Sequence, residues 1–204
     1  MKKPYTDPFW KRIDPLSRAQ LLLVFEGLKP ATIIHGDYLT LPRITEAHGL
    51  TALLTSPPTR RHPAWLVADP SALSESLREE IASIPTGTRR DTEAFWRSQG
   101  RLLGYPQCCI EEYSRERHAW EQPPLDYQFA RDLARYEKEV LPVPDAFNYR
   151  PPSFTPCSIE CPRALETLES WTDAIRTFDP DAGEVLTSFN KQSWYQEKHP
   201  LIIT

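Results

Sequence analysis

The chain has 204 residues, the length of one ordinary domain or of one domain with a small appended lobe. Apolar residues make up 40% and charged residues 25%, so a packed core is within reach and global disorder is disfavoured. The net charge of −4 argues against a broad nucleic-acid surface, and no run of about 18 apolar residues offers a membrane span.

The first residues, Met1 to Pro8, lack the apolar stretch of a signal peptide, which makes the cytoplasm the expected compartment. A helix is expected over 15–28, with Asp14 as N-cap, Pro15 at the first helical position and Lys29-Pro30 as its stop. Ala31 to His35 reads as a short strand. Leu41 to His48 reads as a helix closed by Gly49. Leu50 to Thr55 and Ala64 to Ala68 are two further strands, and Pro57-Pro58 breaks the first of them. Pro70 to Ile84 has Leu73, Leu77 and Ile81 at a spacing of four, the pattern of an amphipathic helix.

Residues 1–85 thus alternate helix and strand, and Pro85 to Thr88 reads as a connector. Beyond it the texture turns helical. Helices are expected over Asp91 to Leu103, Pro106 to His118, Leu125 to Leu141 and Pro162 to Phe178. Gly104 ends the first of these. Residues 142–156 hold five of the 21 prolines and read as a stiff loop. Residues 179–204 read as a tail packing through Phe189, Trp194 and Tyr195.

The four cysteines come as two close pairs, Cys108 with Cys109 and Cys157 with Cys161. Both pairs fall where a loop enters a helix. Pro106 and Pro162 have the fixed φ of first-turn residues, and Pro162 marks Cys161 as an N-cap position. A helix N-terminus carries unpaired N–H groups and partial positive charge, which favour thiolate, the metal-binding form. Four thiolates can hold a tetrahedral zinc or an iron–sulfur cluster. The spacing is not that of a zinc ribbon, and adjacent cysteines suit the wider spread of a [4Fe–4S] cluster. Two other readings stay open: four thiols packed in a core, and a disulfide staple such as Cys109 to Cys161.

The segment Gly100-Arg101-Leu102-Leu103-Gly104-Tyr105-Pro106-Gln107-Cys108-Cys109-Ile110-Glu111-Glu112-Tyr113 resembles the signature of a prokaryotic family, domain-of-unknown-function family 483. A later Pro-Cys-x-x-x-Cys segment of that family is matched by Pro156 to Cys161. The resemblance implies that the two cysteine segments belong together, and it implies no reaction. Epoxyqueuosine reductases of the vicinal-cysteine type are similar only in using a Cys-Cys pair and a second separated pair for one [4Fe–4S] cluster.

Among other candidates, Tyr105, Glu111, Asn148 and Arg163 could line a substrate site near the cysteines. Arg163 stands in a helix's first turn, where the helix dipole would not place a cation. The five histidines, His35, His48, His62, His118 and His199, show no ligand-spaced pair. No catalytic residue, phosphate-cradling glycine loop or serine-nucleophile motif is identifiable. The expected architecture is α+β: a small N-terminal α/β lobe over 1–85, a mainly helical cysteine-bearing lobe over 86–178, and the tail over 179–204. The expected function is that of a cysteine-ligated metalloprotein, iron–sulfur first, acting in redox chemistry or in modification of a small molecule or nucleobase. The alternative is a binding or adaptor protein, with a small-molecule or protein partner, whose cysteines form a structural zinc site or a disulfide staple.

Overall fold

The computed structural model describes residues 4–36, 38–55, 63–74, 93–118, 144–151 and 154–198. In chain order its main elements are α1 (Pro15–Phe25), β1 (Ala31–His35), α2 (Leu41–Ala47), β2 (Thr51–Leu54) and β3 (Ala64–Ala68), followed by α3 (Glu93–Leu102), α4 (Gln107–His118), α5 (Pro162–Phe178) and α6 (Pro180–Lys198). The class is mixed α and β. The predicted helix over 125–141 and the connector at 85–88 lie outside the described residues.

Local chemistry accounts for the element ends. The Asp14 side chain accepts from the Ser17 N–H at 3.0 Å and caps α1, with Pro15 just inside. The helix stops at Phe25, three residues before the expected end. Gly27 takes a left-handed φ of +69°, and the N–H groups of Leu28 and Lys29 both turn back to the Leu23 carbonyl. The helix expected from Pro70 is a single 3-10 turn, Pro70–Ala72, capped by Asp69. Leu73 is already extended there and buried, and the rest of that predicted helix lies outside the described residues.

The sheet is antiparallel, with β3 between β1 and β2. Ile33, Leu66 and Leu53 stand in cross-strand register. They share one apolar cluster with Leu73 and with Leu102 of α3. Ile34, Trp65, Val67 and Ala52 belong instead to the larger core, with α1, α5 and α6. The strands therefore carry apolar residues at successive positions, as strands covered on two sides do.

The C-terminal tail is helical. α6 buries Ala182, Leu186 and Asn190, whereas Phe189 is 38% exposed, so Phe189 is not the anchor expected from its hydrophobicity. Trp194 and Tyr195 fall within α6. Asp179, between α5 and α6, ties this end to the N-terminal segment. It accepts from the Trp10 indole N–H at 2.7 Å and from the Ala182 N–H at 3.1 Å, and it pairs with Arg18 at 3.2 Å. Arg18 and Asp179 are both buried, so removing either partner would strand a charge in the core.

Lys29 follows α1 directly and is fully buried. Its Nζ has no hydrogen-bond partner among the described residues. It lies 5.2 Å from the Tyr105 ring centre and 5.1 Å from that of Trp171. Burial pulls its pKa down to about 7. The two ring faces work the other way by attracting the cation.

Between about pH 7 and about pH 10.5 the unfolded lysine holds a proton that the folded one has lost, so stability rises with pH through that window. Below it both states are protonated and the slope vanishes. Each tenfold in proton affinity is about 1.4 kcal/mol, so several kcal/mol are at stake. Lys29→Met should raise the thermal midpoint at pH 7 and abolish the rise between pH 7 and 10. A lower midpoint with an unchanged pH slope would show that the charged lysine is net stabilising.

Candidate metal centre

Two separate stretches of chain deliver the cysteines, and each is held by identifiable contacts. The first pair opens α4, just after the α3–α4 corner. Gly104 forms that corner with a φ of +72°. A Cβ there would stand 2.6 Å from Pro30 Cδ, so only glycine lets the corner seat on the Lys29-Pro30 segment. Tyr105 donates its N–H back to the Gly100 carbonyl at 3.0 Å, and the Cys109 and Ile110 N–H groups bond to the Pro106 carbonyl. Cys108 and Cys109 thereby occupy the first turn of α4.

The second pair lies at the end of the proline-rich loop. Asn190 of α6 donates to the carbonyls of Asn148 and Arg150 at 2.8 and 2.9 Å. The buried Arg150 in turn donates to the Phe154 carbonyl at 3.0 Å. Buried Phe154, Pro156 and Ile159 pin the stretch that follows. A turn from Ser158 to Cys161 closes it, and Cys161 sits at the N-cap of α5 with extended φ and ψ.

The four sulfurs converge. Cys108 Sγ is 3.6 Å from Cys161 Sγ, and Cys109 Sγ is 3.7 Å from Cys157 Sγ. All four lie within 4.8 Å of one another, which is compatible with a metal site. They are free thiols, Cys109 and Cys161 buried and the other two half-buried. The Cys157 N–H also points at Cys109 Sγ, at 3.5 Å.

The thiols differ in acidity. Burial pushes Cys109 far up and Cys157 up to about 12, and the neighbouring sulfurs add to both shifts. For Cys161 burial works in the same direction, but the Ala164 N–H in the first turn of α5 and hydrogen bonds from the other thiols outweigh it, so its pKa falls. The thiolate-favouring helix end expected at both pairs therefore prevails at Cys161, while at Cys109 burial wins. A cation placed among the four sulfurs reverses this balance, because it repays the cost of burying thiolate. Metal binding at such a site would release protons and weaken as pH falls.

The other expected site residues are dispersed. Tyr105 stacks on Phe154 at a centroid distance of 4.7 Å and lines a cavity that also touches Cys109. Glu111 is exposed and accepts from Gln107 Nε2 at 2.8 Å. Asn148 donates to Asp145 Oδ1 at 2.8 Å, in the turn before the cysteine loop. Arg163 is exposed in the first turn of α5. The sequence did not single out Lys29 or Gln99, and it named His35 only among five scattered histidines. Lys29-Pro30 resembles an ordinary helix stop, and nothing in the local pattern marks Gln99 or His35 as lining a cavity.

A family model described as "Protein of unknown function (DUF483)" matches residues 73–179, just over half of the chain and a stretch that includes both cysteine pairs. No curated protein and no solved structure matches the chain. Among the described residues no helix is long and apolar enough to cross a membrane.

Thiol accessibility separates the ways in which four cysteines can be used. In purified protein a disulfide-exchange reagent should react slowly with all four thiols, and a strong chelator should make all four react fast. Chelator-independent rates would indicate thiols that merely pack, and no reaction before reduction would indicate disulfides.

Proposed function

The chain belongs to the DUF483 family, and we propose that its four cysteines hold one tetrahedral zinc ion whose role is structural, within a protein that works by binding. The spacing of the sulfurs carries this reading. Four sulfurs about 2.3 Å from a single tetrahedral ion stand about 3.8 Å apart. Two of the pairs are at 3.6 and 3.7 Å, with every pair inside 4.8 Å. A cubane with irons about 2.7 Å apart would hold its four thiolates about 6.4 Å apart. These separations support a single ion over the cluster that the adjacent cysteines suggested.

Four protein thiolates fill every position of a tetrahedral ion, as in structural sites; catalytic zinc keeps a position open for water or substrate. The position of the site supports the same role. It joins the first turn of α4 to the loop and N-cap of α5, two pieces of chain about fifty residues apart. Closing so long a loop by metal bonds limits the unfolded chain much as a cross-link does. Such a centre holds a binding surface in shape and need not react with what binds there. The partner is a small molecule or a protein.

Protein purified without oxygen should contain zinc at about one per chain and no acid-labile sulfide. Chelation should then lower helix content and the thermal midpoint together. Replacing any one cysteine by serine should weaken zinc retention at least tenfold. Iron and sulfide each near four per chain would overturn the zinc reading in favour of a cluster. Full metal retention in all four serine variants would overturn the site itself.

A further inference from the structure

A cavity of about 410 Å³ opens between β1, α3, α4 and the Phe154–Thr155 stretch, with Cys109 on its wall. Its size falls within the range of small-molecule sites, about 300–1,000 Å³. Two aromatic pairs line it. Trp96 and Tyr113 meet edge to face at 5.6 Å, and Tyr105 stacks on Phe154 at 4.7 Å. Between these apolar walls stand a few groups able to donate and to accept hydrogen bonds, notably Gln99 of α3 and His35 of β1. Among the described residues no aspartate, glutamate, lysine or arginine lines the cavity.

We infer that this cavity is a binding site for a neutral, planar heteroaromatic molecule of nucleobase or nucleoside size, held among the aromatic side chains that line it and read along its polar edge by Gln99 and His35. Aromatic walls favour flat ring systems, because stacking uses their faces whatever the edge carries. A carboxamide has both donor and acceptor atoms and so matches the mixed edge of a heterocycle, where a purely apolar ligand would leave it unpaired. With no aspartate, glutamate, lysine or arginine among the described lining residues, phosphate would enter without a counter-charge. α4 carries both the cavity wall and the first cysteine pair. The site therefore depends on α4 being docked, while its ligand class does not depend on which metal docks it.

The test is calorimetric titration of the full chain, in the metal state in which it is purified, with the four neutral ribonucleosides and with adenosine 5′-monophosphate. At least one nucleoside should bind, and the monophosphate should bind at least about tenfold more weakly than adenosine if adenosine is the nucleoside bound. Gln99→Leu should weaken nucleoside binding by about tenfold or more, the cost of leaving a polar edge unpaired, with metal content and thermal midpoint unchanged. His35→Phe is the second variant and carries the test if Gln99→Leu does not fold. Absence of binding by all four nucleosides would overturn the proposal. So would tighter binding of the monophosphate, or full affinity in both variants. Metal analysis of the same samples separates this proposal from the zinc reading. Nucleoside binding without zinc counts against the centre alone, and zinc without nucleoside binding counts against the cavity alone.

Discussion

Four sulfur atoms must share a volume only a few ångströms across, and much of the structure around them can be read as the means of bringing them there. A buried cluster of thiolates is unfavourable by itself, since each charge gives up water without gaining a counter-charge. The Cys109 and Cys157 thiols are pushed up by burial, and Cys161 is pulled down by the Ala164 N–H in the first turn of α5 and by hydrogen bonds from the other thiols. An arrangement whose thiolates are costly alone and favourable around a cation is compatible with a metal site. It is held from two sides. Gly104 lets the start of α4 press on Pro30, and Asn190 with Arg150 fixes the path of the loop that returns to Cys157 and Cys161.

The contacts that hold the centre also shape what lies beside it. Tyr105, one residue past Gly104, stacks on Phe154 of the cysteine loop, and both rings lie against Trp171 of α5. Lys29 fits between Tyr105 and Trp171 without a hydrogen bond of its own among the described residues. The first turn of α4 thus faces the sulfurs, while Ile110 and Tyr113 further along it face the aromatic cavity. One helix carries both features, so anything that loosens the sulfurs also loosens the cavity wall. This continuity is why a closed, unreactive metal centre, as proposed, would suit a protein that works by binding.

Much of this was legible in the residues. Proline before each cysteine-bearing helix, Asp14 before Pro15, and glycine at 49 and 104 are signals whose physics is local, and those element ends fall where they predict. The pairing of the two cysteine segments was legible for the same reason, since both stand at helix starts. What stayed hidden depended on distant chain. The end of α1 is set by Gly27, yet Lys29-Pro30 looked like the stronger stop. Phe189 looked like an anchor because it is apolar, whereas the packed face of α6 is the one carrying Ala182, Leu186 and Asn190. The choice between cluster and single ion turns on sulfur separations, which no spacing along the chain encodes. The burial of Lys29 likewise comes from rings on α5 and on the α3–α4 corner, far away in sequence.

The account stands or falls on what the four sulfurs surround. X-ray absorption at the metal edge of the purified protein addresses that directly. A single tetrahedral centre predicts four sulfur neighbours at about 2.3 Å and no metal–metal scattering. A second shell of metal at about 2.7 Å, or nitrogen and oxygen in place of sulfur, would contradict it.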